Sequence, residues 1–143
     1  MSFAPSRTSL DALRARAHPH CVICTPHHPL GLSQTFVARP DGVVQCAFTP
    51  GDAFEGYPGL LHGGVAACLL DGAMTNCLFG WGVEALTGEL TIRYREPIAL
   101  HTPLTVRAWL VESRGRLRLT RAELWQQERL KAAACGKFVD RHE

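Results

Sequence analysis

From Val65 the chain runs Val-Ala-Ala-Cys-Leu-Leu and, past one carboxylate, Gly-Ala-Met-Thr-Asn-Cys-Leu-Phe, a stretch that is apolar on every face of a helix. Such a helix belongs inside a domain. Downstream the period changes to two. Between Ala85 and Glu96, Leu90, Ile92 and Tyr94 alternate with Glu89, Thr91, Arg93 and Arg95, the mark of a strand with one wet face, and Pro97 ends its regular pairing. Leu104 to Val111, Leu117 to Trp125 and Leu130 to Val139 read as three more strands, with Ser113-Arg114-Gly115 and Gln126-Gln127-Glu128 as turns. Upstream, Leu32 to Ala38 and Gly42 to Phe48 flank Arg39-Pro40-Asp41 as a hairpin, and Ser9 is placed to cap a short helix carrying Leu10 and Leu13 on one face. The pattern predicts an α+β chain: an antiparallel meander of six strands wrapped around one long buried helix.

The entry to that helix is the most unusual stretch. Pro58 and Gly59 stop what precedes them, and His62-Gly63-Gly64 lets the backbone turn tightly and approach a ligand with no Cβ in the way. A helix N-terminus offers unpaired N–H groups and the positive end of a dipole, so the N–H of Gly63, aided by that of Gly64, is the candidate for stabilising an oxyanion. Nine residues after His62, Asp71 is a lone carboxylate on an apolar helix, and such a group is paired, protonated or used. At a rise of about 1.5 Å per residue, Gly63 and Asp71 stand on the order of 12 Å apart on one helix. If both act on one carbonyl carbon, they come from two subunits.

His-Gly-Gly followed by this Asp resembles the hotdog-fold acyl-CoA thioesterases, in the branch that holds the phenylacetate-degradation thioesterases and the human thioesterase-superfamily members. The resemblance covers about residues 20 to 140. Thr87-Gly88-Glu89-Leu90-Thr91-Ile92-Arg93-Tyr94-Arg95-Glu96-Pro97 is similar to the family's first long strand after the helix, and Cys21-Val22-Ile23-Cys24 with Pro29-Leu30-Gly31-Leu32 to its N-terminal signature. It implies a hotdog domain over 31–143 behind an N-terminal extension over 1–30, and a homodimer or homotetramer that hydrolyses an acyl-CoA to a carboxylic acid and coenzyme A. The catalytic set it implies is Asp71, Gly63, His62 and Thr87, the last positioning the carboxylate or its water, with Gly64, Glu55, Tyr57 and Trp81 around the substrate. Asp71 is either general base or nucleophile. Where family members often carry an amide to polarise the thioester, this chain has Glu55 and Gly56. Phe54, Tyr57, Phe79 and Trp81 hint at an aromatic lining and read equally as packing. A hotdog hydratase or dehydratase would use an Asp and His pair in another local pattern, and a non-catalytic acyl-ligand or regulatory module is the other alternative.

Composition narrows the classes. The 143 residues make one domain, with 46% hydrophobic and 20% charged residues, ordinary for a folded globular chain. Net charge is +2 and only two of the 15 basic residues are Lys, too little to argue for nucleic acid. No apolar run has the length of a membrane span, and the N-terminus lacks the features of a secretory signal. The expectation is a cytoplasmic protein without membrane or nucleic-acid partners, its six Cys free, with Cys68 and Cys77 small buried side chains of the helix. Neither a Gly-x-Ser-x-Gly elbow nor a phosphate-binding loop occurs. Arg114, Arg116, Arg118 and Arg121 crowd one strand turn, as solvated surface in the favoured reading and as a contact for coenzyme A phosphates in the other. His18, His20, Cys21, Cys24, His27 and His28 gather ligand types that tetrahedral zinc takes, but the second separated pair of a zinc finger is missing. The family signature implies structural thiols there, so neither metal nor cofactor is expected.

Overall fold

In a computed structural model of the chain, residues 5–26, 28 and 31–141 are described. The elements are α1 (Arg7–Ala17), β1 (Val37–Ala38), β2 (Val44–Phe48), a 3-10 turn (Asp52–Phe54), α2 (Gly63–Gly80), β3 (Ala85–Tyr94), β4 (Leu104–Arg114), β5 (Leu117–Gln126) and β6 (Arg129–Asp140). One antiparallel sheet carries all six strands in the order β1-β2-β4-β5-β6-β3. β4, β5 and β6 form the expected meander. β3 leaves sequence order, crossing to the far edge beside β6.

The sheet closes on α2 through its small residues. Ala108, Ala122, Ala132 and Ala134 are buried with Val106, Leu124 and Phe138, opposite Leu69, Leu70, Ala73, Met74 and Cys77 of the helix. Alanine on the sheet lets the helix approach. At Gly136 even one more methyl group would meet Phe138 at 2.7 Å and Met74 Sδ at 3.0 Å. Interiors at this density tolerate little added volume.

Several expectations shift. The first predicted strand shrinks to Val37–Ala38 because its earlier backbone pairs elsewhere: Leu32 N–H donates to Val22 O and Gln34 N–H to Ile23 O, both at 2.8 Å. Ser6, rather than Ser9, caps α1, accepting Ser9 N–H at 3.0 Å, while the Ser9 hydroxyl donates to Phe79 O at 2.8 Å. Leu10 and Leu13 are buried together as the pattern requires, in the same core as Ile23 and Cys24. Gln126, read as part of a turn, is buried. Its amide holds the loop after Pro97, accepting from Ala99 N–H at 2.9 Å and donating to Ala99 O and Thr102 O at 2.9 and 3.0 Å.

The helix is not covered all round. Residues 72–80 are buried, but Gly64 and Cys68 are exposed and Asp71 half-buried, an i, i+4, i+7 stripe turned toward β3 and its open edge. Cys77 is buried as expected, whereas Cys68 is not, because it lies on this stripe. No helix among the described residues is long and apolar enough to cross a membrane.

Candidate active site

His62 sets the start of α2. Its backbone is extended (φ −61°, ψ 132°) and its Nδ1 accepts the Gly64 N–H at 2.8 Å, satisfying one of the free donors of the first turn. A nitrogen that accepts carries no proton, so the neutral ring has its hydrogen on Nε2. Val65 and Ala66 donate to His62 O. Gly64, expected to assist Gly63, thus has its N–H held by the cap. The N–H of Gly63 has no acceptor among the described residues. It borders a hollow of ≈ 430 Å³ lined by Glu55, Gly56, Tyr57, Leu61, His62 and Gly63. On the other side of the turn, the Tyr94 hydroxyl donates to Gly63 O at 2.7 Å.

Asp71 lies two turns along the same helix. Its Oδ1 accepts the Thr87 hydroxyl at 2.7 Å. Burial pushes its pKa up, against the opposing effect of the Thr87 hydrogen bond, so the carboxylate is a stronger base than an exposed one. Thr87 and Tyr94 both come from β3, one at each end, and their contact with the same helix is not what strand alternation gives. Seven residues apart, they belong on opposite faces. A bulge between Thr87 and Glu89 inserts one residue, so that Thr87 pairs with Phe138 while Glu89 pairs with Lys137. The extra residue is Gly88, where a Cβ would sit 3.2 Å from Lys137 O. The bulge returns Thr87 to the face of Leu90, Ile92 and Tyr94.

The remaining expected residues divide. Glu55 is tied into its own loop, its Oε1 accepting Gly59 N–H at 2.7 Å. Tyr57 lines the hollow and is 82% exposed. Trp81 is the residue after the other end of α2 and lines a separate surface hollow with Asp41, Arg107 and Trp109. It does not meet the Gly63 turn. The four aromatics form no common lining: Phe54 packs against Phe48 in a tilted pair at 5.8 Å, and Phe79 is buried with its ring nearly perpendicular to that of His18 at 4.9 Å. Tyr94 was not singled out by its sequence, and its contact depends on the strand crossing that brings β3 to the helix.

Residues 58–133, more than half of the chain, match the family model described as the thioesterase superfamily. The chain belongs to the thioesterase superfamily. Among its relatives, the acyl-coenzyme A thioesterase THEM4 of Rattus norvegicus is 32% identical over 81 residues, which are 57% of this chain and 35% of that protein. The chain thus spans about a third of the length of this curated relative. Of solved structures, the thioesterase superfamily protein RHA08564 superposes with a TM-score of 0.81 at 30% identity, over 85% of this chain and 60% of that one. A hypothetical thioesterase of Streptococcus pneumoniae TIGR4, solved with coenzyme A, superposes at 0.68 with 20% identity, over 71% and 82%.

Two further groups of side chains in this thioesterase-superfamily chain bear on chemistry. Of the arginines near the β4–β5 turn, Arg114 bonds Glu112 at 2.6 Å, Arg118 grips the Asp140 carboxylate at 2.9 and 3.0 Å, and Arg116 donates to Asp140 O at 2.9 Å. Arg121 sits apart, in a hollow on the sheet shared with Arg93, Arg95 and Trp109. In the N-terminal segment, the side chains of His18, Cys21 and Cys24 converge, their ligand atoms all within 4.8 Å of one another. Hydrogen bonding from Cys24 lowers the pKa of the Cys21 thiol, and the same contact pushes that of Cys24 up. His27 and Pro29-Leu30 of the same sequence segment lie outside the described residues.

Proposed function

We propose that the chain hydrolyses acyl-coenzyme A thioesters as a homo-oligomer, at a site to which two copies contribute. The observation that carries this reading is the pair of groups on α2: the N–H of Gly63, which has no acceptor among the described residues, and the Thr87-held carboxylate of Asp71. The names of the relatives support the choice of substrate. About 12 Å of helix keeps the two groups from one carbonyl within a chain.

The edge supplies the second copy. β3 has ten residues and, among the described residues, no strand on its outer side, and it exposes Leu86 at 62% and Tyr94 at 50%. A long unpaired edge of this kind is a template for another strand. Two β3 strands paired antiparallel about a two-fold axis would lay the Thr87 end of one beside the Tyr94 end of the other. Because Thr87 marks Asp71 and Tyr94 marks Gly63, that pairing moves Asp71 of the partner subunit toward Gly63, twice.

In such a site the Gly63 N–H receives the developing oxyanion at the positive end of α2. The carboxylate takes a proton from water as the water oxygen adds to the carbonyl carbon; the tetrahedral species then expels the coenzyme A thiolate, which is protonated. In the nucleophilic variant, the carboxylate oxygen itself adds and water resolves the anhydride. Hydrolysis in ¹⁸O-water under single-turnover conditions distinguishes them, since only the anhydride route leaves label in Asp71.

Thiol release from a panel of short, long and aryl acyl-CoAs tests the activity. Asp71→Asn should lower turnover by about 100-fold or more at unchanged oligomeric mass and nearly unchanged ligand binding. Binding across the panel with no hydrolysis above background would replace this reading with a non-catalytic acyl-ligand module.

A further inference from the structure

The N-terminal segment carries a second site that the thioester chemistry does not use. We propose that His18, Cys21 and Cys24 bind one zinc ion, which staples the segment across α2 next to Asp71. This departs from the structural-thiol expectation drawn from the family signature, and it rests on how the fold gathers the three side chains.

Their ligand atoms lie within 4.8 Å of one another, and His18 Nδ1 is 3.6 Å from Cys24 Sγ. Ligand atoms around tetrahedral zinc, with bonds of about 2.0 to 2.3 Å, are separated by about 3.5 to 3.8 Å. Closing the set therefore takes a contraction of about 1 Å at most, within the reach of side-chain rotation. Two thiolates and an imidazole are the soft and borderline donors that select zinc over magnesium or calcium.

The turn is already shaped for an anion. Ile23 N–H points at Cys21 Sγ at 3.3 Å. Backbone donors on a sulfur favour the thiolate, the form that ligates. Outer contacts hold the ligands from behind: Arg14 reaches Cys24 O at 3.4 Å, and the His18 ring packs nearly perpendicular to that of Phe79 at 4.9 Å between centroids. Metal sites depend on such outer support for ligand orientation. A dithiol redox pair needs two sulfurs only; the third converging donor distinguishes a metal site.

Placement gives the site a consequence. Ile23, between the two cysteines, packs so closely on α2 that a Cβ at Gly72 would stand 2.6 Å from its Cγ2. Gly72, Asn76 and Phe79 form an i, i+4, i+7 stripe, and the segment lies along it, one residue beyond Asp71. Three protein ligands leave the fourth position of zinc to solvent.

The test uses the full chain, freed of metal under reducing conditions and produced without a histidine tag. About one equivalent of zinc per chain should bind, and cobalt(II) in its place should give the visible bands of a tetrahedral centre with thiolate-to-cobalt charge transfer. Cys21→Ser and His18→Ala should each weaken binding by at least about tenfold, while Cys135→Ser, an exposed cysteine outside the cluster, should leave it unchanged. Zinc should also raise the Tm of the wild-type chain and not that of Cys21→Ser. Failure of the reduced wild-type chain to bind zinc or cobalt overturns the proposal, as does binding that survives both substitutions. A mass two hydrogens short, mapped to a Cys21–Cys24 disulfide in freshly purified protein, would assign the pair to redox chemistry instead. Should a variant fail to fold, the wild-type cobalt spectrum decides alone: octahedral or absent bands reject the site. None of these readouts depends on thioester hydrolysis.

Discussion

If Gly63 and Asp71 act across two subunits, two inactive variants restore each other. Gly63→Pro removes the N–H proposed to hold the oxyanion, and the local geometry accepts it. His62 already has the extended backbone that must precede proline, Gly63 is absent from the glycines at positive φ, and the first helical position is where proline is tolerated. Losing one such donor lowers turnover by about 10² to 10³-fold, and Asp71→Asn by a comparable factor, so each homo-oligomer should retain about 1% or less. Mixed in equal amounts and allowed to exchange, half of the dimers pair one variant with the other. In each of these, one site carries both defects and the other carries none, which gives about a quarter of wild-type activity per chain for a two-fold dimer. A site built within one chain leaves a defect everywhere, and activity stays at the single-variant level. The assay is thiol release on refolded or co-expressed mixtures, with native mass measurement confirming mixed dimers and Gly63→Pro assembly. Assembled mixed dimers at the single-variant level would refute the shared site and leave the individual residue roles to their own tests.

Three other outcomes follow from the contacts around α2 and the sheet. Thr87→Val removes the hydrogen bond that keeps the Asp71 pKa from rising further, so the acid limb of kcat should move to higher pH; an unmoved or lowered limb would remove Thr87 from the site. The Asp71 pKa is raised in the fold, so the stability tied to its protonated form is present below the ordinary Asp value of about 3.9 and lost as pH rises through the raised value. Asp71→Asn should accordingly have the higher Tm at neutral pH, with the difference closing in acid, and equal melting at both would contradict a desolvated carboxylate. Gln126→Ala removes a buried side chain and its three hydrogen bonds to the part-buried Ala99 N–H and O and Thr102 O, and should cost about 3 kcal/mol in denaturant unfolding, against less than about 0.5 kcal/mol for the exposed neighbour Gln127→Ala.

What the sequence disclosed about this fold follows from which forces are local. The apolar run after Val65 and the alternation of Leu90, Ile92 and Tyr94 are written along the chain, and they yielded α2, β3 and the strands after it. Strand order depends on which edges meet in space, so the crossing of β3 to β6 was not legible, and neither was the exposure of Cys68 that follows from it. The first strand is shorter than its alternation predicts because the backbone donors of Leu32 and Gln34 go to Val22 O and Ile23 O. Asp71 stood out as a carboxylate in an apolar run. Tyr94 could not, being one more residue in a strand's alternation.

The partial legibility of Thr87 shows where local pattern and tertiary requirement part. Alternation alone assigns it to the wet face with Glu89 and Thr91, and only resemblance attached it to Asp71. The one local sign was Gly88, since a glycine inside a strand marks a bulge or a close approach. The bulge forfeits regular ladder pairing at one position and gains a hydroxyl 2.7 Å from the carboxylate. A regular strand would pair better and leave Asp71 half-buried without that donor, with the full desolvation penalty on its charged form. The irregularity in β3 and the lone carboxylate in α2 are therefore one feature seen from two elements. Strand geometry alone gives no reason for the bulge at this position; the need to hold an ionised Asp71 on the helix face does.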